Sequence, residues 1–279
     1  MIHRLEELSP AGLEARLGEK PALVLALGTV EWHSHHLPLG LDLLKAAALA
    51  ERAAERSGAV LAPPAWWAAG GVPYPYTLRL PAAVTEPPLA AVLDGFAGMG
   101  FRAICLVNGH YGLENSIAVR RAALACTTAT VVPLADYELL TDLGATGDHA
   151  GVWETSLLLA VRPELVRLEA ADDLPGVIGE DPRGRASREL GEQGLELAAA
   201  RAAATVERIL DSPPEPVAEA LTAALAALER LWELRQELPR EQVPPVPTPA
   251  WIRHLECVRD GDWAGARRTA EAKQADPWA

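Results

Sequence analysis

The side chains best suited to metal chemistry lie together near the N-terminus. Residues 28–42 hold three of the seven histidines and two carboxylates, Glu31 and Asp42, directly after the apolar run 22–27. Imidazole nitrogens and carboxylate oxygens are the ligands that suit zinc and manganese. Because Glu31 and His33 are two residues apart, their side chains point to the same face of an extended chain. The spacing predicts a metal site just beyond the end of a strand.

A second apolar run delivers another histidine to the same place. Residues 101–107 run straight into Asn108-Gly109-His110, and the carboxyl ends of parallel strands meet at the edge where open α/β sheets put their chemistry. Asp42, at the start of the helix after the first strand, would reach back over the same spot. Together with Glu31 and His33, these side chains could hold one metal ion, or two ions if Asp42 bridges them. Two ions about 3.5–4 Å apart can hold a bridging hydroxide and polarise a carbonyl group.

Short apolar segments alternate with helical segments along the first part of the chain. Continuous apolar runs are typical of strands covered on both faces, and their alternation with helices predicts right-handed βαβ units around a mostly parallel sheet. Thr85 is the expected cap of a helix that begins near Pro87. The expected strands are residues 22–27, 59–62, 76–80, 101–107 and 130–134, and the expected helices are 11–19, 42–57, 87–100, 114–126 and 149–162.

The C-terminal third is predicted to be helical. Long helices are expected at about 187–210 and 217–237, and a final one at 251–272. We expect a main domain over residues 1–212, a helical extension over 213–279, and a stiff linker near 238–249, which holds five prolines. An apolar face of the second long helix either packs on the main domain or forms a subunit contact. Its leucines recur every three or four residues: Leu221, Leu225, Leu228, Leu231 and Leu234.

Composition excludes several classes of partner. There are 25 Lys plus Arg against 38 Asp plus Glu, and the formal charge of −13 works against binding a phosphate backbone, so no nucleic-acid partner is expected. No apolar run is long enough to span a membrane, and the N-terminus lacks the core of a signal peptide. Three cysteines form no CxxC pair and no even-numbered framework, which favours a reducing cytoplasm.

Three separate motifs resemble those of the creatininase family of metal-dependent amidohydrolases. The segment from Gly28 to Asp42 resembles the family signature, and Asn108-Gly109-His110-Tyr111 matches the second motif. The third motif is matched by His149-Ala150-Gly151-Val152-Trp153-Glu154-Thr155-Ser156. The resemblance covers roughly residues 15–210. It makes 1–212 the creatininase-like catalytic domain.

The resemblance implies a cytoplasmic three-layer α/β/α sandwich, often assembled as a hexamer, with zinc or manganese. Two metals per subunit are expected. Glu31, Asp42 and His110 would hold one metal, and His33 with the bridging Asp42 would hold the other. A small-molecule amide is the implied partner, and a homo-oligomer the implied assembly.

One family position differs in this chain. In creatininase itself, a glutamate two residues after the matching histidine completes the second metal position, whereas this chain has Gly112 there. Glu114 is the nearest candidate for that metal-binding and catalytic role. The alternative is that Glu114 is an acidic residue stabilised by the N-terminus of its helix.

His149 resembles the residue that donates a proton to the departing nitrogen. An amide nitrogen leaves poorly unless protonated, and a histidine can supply the proton near neutral pH. Asp148 could orient its ring. Glu154 lies five residues after His149, a spacing that a helix would not place on the same face, so Glu154 is expected to support the site or to anchor the start of its helix. His36 is expected to have a supporting role as well.

Aromatic residues near the motifs could bind the substrate. Trp66 and Trp67 are adjacent in a loop rich in glycine and proline, where at least one should be exposed. With Tyr111 and Trp153 they are the candidate substrate-binding residues, and Tyr74 could also line a pocket for a flat heterocycle. Packing in the core is the alternative for each of them.

These observations lead to one predicted function and three alternatives. The expected protein is a hydrolase acting on carbon–nitrogen bonds other than peptide bonds, in which metal-bound hydroxide attacks the carbonyl of a cyclic amide such as creatinine or a related lactam. His149 would protonate the leaving nitrogen. The alternatives are a formamide hydrolase of a pyrimidine-type cofactor intermediate, a peptidase of a small modified peptide, and a non-catalytic metal-containing assembly subunit.

Overall fold

A parallel five-stranded sheet lies at the centre of the chain, of which a computed structural model describes residues 1–170, 173–239 and 242–279. The strands run in the order β1-β3-β2-β4-β5, and β2 and β4 pair along their whole length. They are β1 (His3–Arg4), β2 (Ala22–Leu27), β3 (Val60–Leu61), β4 (Ala103–Asn108) and β5 (Thr130–Ala135). The prediction of a mostly parallel sheet is confirmed, with the short β1 as an unexpected addition.

Helices cover both faces of the sheet. The longer ones are α1 (Pro10–Glu19), α2 (Leu41–Ser57), α3 (Ala82–Gly98), α4 (Leu113–Ala125), α5 (Val152–Val161), α6 (Arg188–Asp211), α7 (Pro214–Glu237), α8 (Pro249–Asp260) and α9 (Trp263–Ala275). Alternate residues of β2 face opposite layers: Val24 packs with the apolar face of α2 and α6, and Leu25 packs with that of α3. Because every residue of β2 and β4 is buried, the predicted three-layer α/β/α sandwich is confirmed.

Two elements differ from the sequence prediction. Residues 76–80 form a turn and a single bridge from Gly70 to Leu80, not a strand. The helix expected from Pro87 begins at Ala82, and Thr85 is not its cap, because the Thr85 hydroxyl donates a hydrogen bond to the Ala82 carbonyl at 3.5 Å.

The expected final helix 251–272 is divided into α8 and α9. Gly261 ends α8 in the left-handed region, with a φ of 76°, where glycine carries no Cβ penalty. The Asp262 side chain then accepts a hydrogen bond from the Gly265 amide at 2.8 Å and starts α9. A stop signal followed at once by a start signal therefore breaks the helix.

The leucine face of α7 packs within the chain. Leu221, Leu228 and Leu231 are buried, and α7 lies against α4 and α9. This answers the question that the sequence left open about that face. The division at residue 212 and the stiff linker stay predictions, and residues 240–241 of that linker lie outside the described residues. Within the described parts of the chain, no helix combines the length and apolar character needed to cross a bilayer.

Candidate metal centre

Two glycines let the strand ends come close to the helix that carries Asp42. Gly28 follows β2 and Gly109 follows β4, and the Gly109 amide donates a hydrogen bond to the Leu27 carbonyl at 2.8 Å. A Cβ atom at Gly28 would lie 2.4 Å from the Leu43 nitrogen, and one at Gly109 would lie 2.1 Å from the Asp42 carbonyl oxygen. Any side chain at either position would therefore push α2 away from the strand ends.

The first group of candidate ligands joins residues from two strand ends and α2. His110 Nδ1 lies 2.9 Å from Glu31 Oε2 and 3.1 Å from Asp42 Oδ2. All three side chains are buried. The other Glu31 oxygen, Oε1, accepts a hydrogen bond from the Val72 amide at 2.6 Å. One oxygen of Glu31 is thus fixed by backbone while the other faces the group.

The second group shares Asp42 with the first. His33 Nε2 lies 3.1 Å from Asp42 Oδ1 and 3.6 Å from Glu154 Oε2. His33 Nδ1 donates a hydrogen bond to the Glu31 carbonyl at 3.0 Å, so the neutral ring presents the lone pair of Nε2 to the carboxylates. Asp42 therefore directs one oxygen at His33 and the other at His110, as the sequence expectation of a bridging carboxylate requires.

His149 lies beside these groups. Its ring stacks on that of His33, and its Nε2 donates a hydrogen bond to the Trp32 carbonyl at 3.0 Å. A third cluster of possible ligand atoms is formed by Glu31, His33 and His149. The backbone of His149 forms two hydrogen bonds of 2.9 Å with that of Ile178, which fix the backbone from which the ring extends.

The carboxylates of the pocket stabilise positive charge on the neighbouring histidines. Burial lowers the pKa of His33 and His110, but the surrounding carboxylates outweigh it and raise these values to about 9 and about 10. Burial raises the pKa of Asp42, yet the two histidines hold it well below its usual range. Without a metal, protons on the histidines compensate the carboxylates. A divalent cation would take their place and release them.

A buried lysine stands behind Glu154. Lys45 follows Asp42 by three residues on α2, and its Nζ lies 2.8 Å from Glu154 Oε1 and 3.1 Å from Asp136 Oδ2. It also donates to the Tyr111 hydroxyl, which in turn donates to Asp136. Burial lowers the pKa of Lys45, but the carboxylates, Asp136 first, raise it above its usual value. Lys45 is therefore charged inside the protein.

Asp148 and His36, two of the residues expected to support the site, both contact the third motif. The Asp148 carboxylate accepts a hydrogen bond from the Trp153 amide at 2.8 Å, at the start of α5. Burial, with the charge of Glu154, raises the pKa of Asp148 to about 7. His36 Nε2 lies 3.0 Å from the Thr155 hydroxyl, and burial followed by the charge of His33 lowers the pKa of His36 to about 4. Both residues thus hold the third motif in place.

A loop clamps the segment that carries Glu31. The Leu78 amide donates to the Val30 carbonyl at 2.8 Å, and the Trp32 amide donates to the Thr77 hydroxyl at 3.1 Å. With the bond from the Val72 amide to Glu31, these contacts tie residues 70–80 to the loop that carries Glu31. The loop therefore forms one wall of the candidate site.

Known proteins share this arrangement of motifs. A family model described as creatininase, creatinine amidohydrolase, matches residues 6–206. The creatinine amidohydrolase of Pseudomonas putida is 32% identical over 198 residues, which are 61% of this chain and 75% of that protein. The chain belongs to the creatininase family.

Other relatives in the creatininase family have different names. The 3-dehydro-scyllo-inosose hydrolase of Thermotoga maritima is 28% identical over 180 residues, 58% of this chain and 57% of that protein. The mycofactocin precursor peptide peptidase of Mycolicibacterium smegmatis is 34% identical over 159 residues, 52% of this chain and 59% of that protein. The chain therefore aligns with less than two thirds of these two relatives.

Solved creatininase structures match the fold. A crystal structure of creatinine amidohydrolase superposes with a TM-score of 0.66 at 26% identity, over 74% of this chain and 97% of that one. A manganese creatininase gives 0.64 at 26% identity, over 75% and 99%. A mutant creatininase of Zn–Zn type gives 0.60 at 28% identity, over 75% and 99%.

A side chain at Gly112, where the resemblance leads one to expect a glutamate, would crowd the His110 ring. A Cβ atom at Gly112 would lie 2.8 Å from His110 Nε2. Glu114, the expected substitute, directs Oε1 to the Ala82 amide at 2.8 Å and is not among the three clusters of possible ligands in the described residues. Glu154 is in one of them, with His33 and Asp42. The roles of Glu114 and Glu154 stay predictions, which metal analysis can separate.

The aromatic candidates are distributed over different surroundings. Trp66 is 50% exposed and Trp67 is partly buried beside it, whereas Trp153 packs near Gly194 of α6. The Tyr111 hydroxyl is hydrogen-bonded to Lys45 and Asp136. The structure adds a pair that the sequence did not indicate, Trp32 stacked on Tyr74 with ring centroids 4.1 Å apart, next to His149.

Two charged residues of the site were missed in the sequence. Lys45 had a signal, since it lies one helical turn after Asp42 and so shares its face of α2. Asp136 had one too, because it directly follows β5 as His110 and Glu31 follow β4 and β2. A polar residue at the end of a third buried strand indicates the same edge of the sheet.

Proposed function

We propose that this chain is a metal-dependent amidohydrolase that binds two divalent cations, zinc or manganese, in each subunit. The observation that carries the proposal is the position of Asp42, whose two oxygens each lie 3.1 Å from a different histidine nitrogen. A carboxylate placed in this way can bridge two cations. One cation would be held by Glu31, Asp42 and His110, and the other by Asp42, His33 and Glu154.

Buried polar atoms support the fit of cations. His33 Nε2 and Asp42 Oδ1 are buried and lie 3.1 Å apart, and with a neutral His33 ring both are acceptors with no donor in the described part of the chain. A buried polar atom left unsatisfied costs about 1–3 kcal/mol. Imidazole nitrogen and carboxylate oxygen are ligands that zinc and manganese accept, and a cation between these two atoms would satisfy both. The residues present therefore fit the metals named in the related structures.

The balance of charge favours two cations over one. Glu31, Asp42 and Glu154 supply three negative charges, while Lys45 and Asp136 compensate each other. Two divalent cations would leave one positive charge at the site, and one cation would leave one negative charge. A net positive site stabilises the oxygen that becomes negative when an amide carbonyl is attacked.

The proposed chemistry is hydrolysis of an amide. Bound cations would polarise the carbonyl and make water a better nucleophile at neutral pH. Burial, with the charge of His33, lowers the pKa of His149, so its ring is neutral and holds its proton at Nε2 against the Trp32 carbonyl. A neutral ring must take a proton before it gives one. His149 would take the proton of the attacking water and pass one to the leaving nitrogen.

The substrate proposed first is a cyclic amide such as creatinine or a related lactam, because creatinine amidohydrolase is a relative along most of the catalytic region. A peptidase acting on a small modified peptide is the second candidate, supported by the relative named a peptide peptidase. Formamide hydrolysis and a non-catalytic assembly role are the remaining alternatives. The presence of His149 beside the ligand groups favours catalysis over an assembly role.

The proposed setting is a homo-oligomer in the cytoplasm, with a hexamer as the family's common assembly. The three cysteines are free, and two of them, Cys105 and Cys126, are buried, as suits a reducing compartment. Light scattering of the purified protein would give the size of the assembly.

Metal analysis tests the function. Protein purified without added metal should contain between one and two equivalents of zinc or manganese per chain, and the Asp42→Ala variant should contain less. A screen of cyclic amides, formamides and short peptides, with Asp42→Ala as the inactive control, should then show turnover. Metal content near zero in the wild type, unchanged in Asp42→Ala, would remove the proposal. Metal without turnover on any amide would favour the assembly role.

A further inference from the structure

The side chain of Lys45 is buried next to Glu154, one of the candidate metal ligands. It is 1% exposed, and its ammonium group contacts Glu154 Oε1 at 2.8 Å and Asp136 Oδ2 at 3.1 Å. The ammonium nitrogen also lies 3.8 Å from the ring centroid of Tyr111, whose hydroxyl accepts from it. Its donors are therefore used by the residue that follows β5, by the third motif and by the segment before α4.

Glu154 is fixed at both of its oxygens. Lys45 holds Oε1, and the Ala150 amide donates to Oε2 at 2.7 Å. That second oxygen is the one that lies 3.6 Å from His33 Nε2. Because neither oxygen is free to turn away, the carboxylate presents Oε2 to the position shared by His33 and Asp42.

Asp136 makes this arrangement compatible with a cation. A lone ammonium group next to Glu154 would repel a divalent ion, but Asp136 lies on the other side of Lys45 and compensates its charge. Tyr111 links Lys45 and Asp136 and keeps the pair together. The negative charge of Glu154 thus remains available to a cation while its orientation is fixed.

We propose that Lys45 is a positioning residue that builds the second cation position by fixing the carboxylate of Glu154. The inference rests on the proposed function, in which His33, Asp42 and Glu154 hold that cation. Residues that orient metal ligands typically change affinity by about 10–100-fold when they are replaced. Among the proposed ligands Lys45 bonds to Glu154, so we expect its replacement to act mainly on the position that Glu154 completes and far less on the position formed by Glu31, Asp42 and His110.

Zinc titration of metal-free protein, with both dissociation constants fitted, tests this role. Lys45→Met should raise one of the two zinc dissociation constants by about 10–100-fold and change the other far less. The charge-balanced variant Lys45→Met/Asp136→Asn avoids an unpaired buried carboxylate and should show the same loss. Lys273→Met is the matched control, because Lys273 is also buried but bonds to the backbone carbonyl of Pro245 far from the site. It should keep both constants, and circular dichroism verifies the fold of each variant.

A double-mutant cycle separates positioning from general support. Glu154→Gln should weaken the same site, and adding Lys45→Met to Glu154→Gln should cost no further affinity, because Lys45 would act only through that carboxylate. Additive losses would overturn the proposal, as would wild-type affinity in folded Lys45→Met/Asp136→Asn. If wild-type protein binds fewer than two zinc ions, or Glu154→Gln changes nothing, the assignment of Glu154 fails and this proposal with it. The two failures are therefore distinguishable.

Discussion

The imidazole ring of His149 is stacked on that of His33, with the ring centroids 4.4 Å apart and the planes 28° apart. The two rings come from different motifs and have different partners. The Nε2 atom of His33 faces the carboxylate of Asp42, whereas the Nε2 atom of His149 donates to the Trp32 carbonyl. The proposed proton carrier thus lies directly beside a candidate metal ligand.

His149→Ala should therefore retain the metals and lose turnover. An acid or base group contributes roughly 10²–10⁴-fold to the rate, and kcat should fall by that factor. Steady-state kinetics on the best amide substrate and metal analysis of the same sample provide the measurement. Loss of metal from this variant would instead make His149 a ligand, together with Glu31 and His33.

Glu154→Gln and Glu114→Gln separate the two candidates for the second metal position. Glu154→Gln should lower the metal content by about one equivalent, because its carboxylate lies with those of the ligand group. Glu114→Gln should keep the metal, since Glu114 bonds to the Ala82 amide. Plasma emission analysis after gel filtration measures both. The opposite pattern would return Glu114 to the role suggested by the family motif.

Gly112→Ala should weaken metal binding through His110. The new Cβ atom would lie 2.8 Å from His110 Nε2, so the ring must shift from the position in which its Nδ1 faces Glu31 and Asp42. We expect zinc affinity to fall by about tenfold or more, measured by competition with a chromophoric chelator. Gly95→Ala is the control, because nothing lies within 4 Å of a Cβ there. Equal affinities in the two variants would contradict this account of His110.

Gly191→Ala should destabilise the contact between α5 and α6. A Cβ atom there would lie 1.7 Å from the Ser156 carbonyl oxygen, and an overpacked contact costs typically about 1–3 kcal/mol. Urea unfolding of metal-free protein measures the free energy of unfolding. Gly18→Ala in α1 has open space and should be neutral or slightly stabilising. A Gly191→Ala variant with the free energy of unfolding of the wild type would contradict this account, because it would show that α5 and α6 can move apart without a loss of stability.

His254 should make the protein sensitive to acid at a place remote from the metal groups. Burial lowers its pKa from 6.5 to about 4, with a smaller contribution from Arg120, while its Nδ1 donates to the Ala266 carbonyl. Between pH 6.5 and 4 the unfolded chain binds the extra proton, so stability falls as the pH falls. The loss attributable to His254 is at most about 3 kcal/mol.

His254→Asn removes the titrating group and keeps a donor. It should lose less stability than the wild type between pH 7 and 4.5, as measured by urea unfolding of metal-free protein at each pH. His3→Asn, near the N-terminus, is the control for replacing a histidine. Parallel pH profiles for the wild type and His254→Asn would contradict the predicted linkage.

Much of the fold and the centre of the site could be predicted because their signals are local. Short apolar runs indicated β2, β4 and β5, and the residue types at the ends of β2 and β4 indicated that Glu31, His33 and His110 meet. The rule used there is general: parallel strands end at one edge. Gly261 and Asp262 are also local signals for the break between α8 and α9, but the helical pattern on both sides led to the prediction of one continuous helix.

The position of Glu154 could not be obtained in the same way. The expectation assumed helical spacing between His149 and Glu154, but α5 begins only at Val152, and Ala150 has a φ of 53°. The turn directs Glu154 to the same pocket as His149. Lys45 could not be assigned to its role either, because Glu154 is 109 residues away along the chain.

The clamp between residues 70–80 and the loop that carries Glu31 has a consequence for laboratory evolution. Substitutions in this wall that admit a new substrate would also shift the Val72 amide, which fixes one oxygen of Glu31, a proposed metal ligand. The same substitutions in this loop would therefore change both the range of substrates and the affinity for metal. Libraries that vary residues 72–78 should yield more active clones when they are screened with added zinc or manganese than when they are screened with trace metal alone.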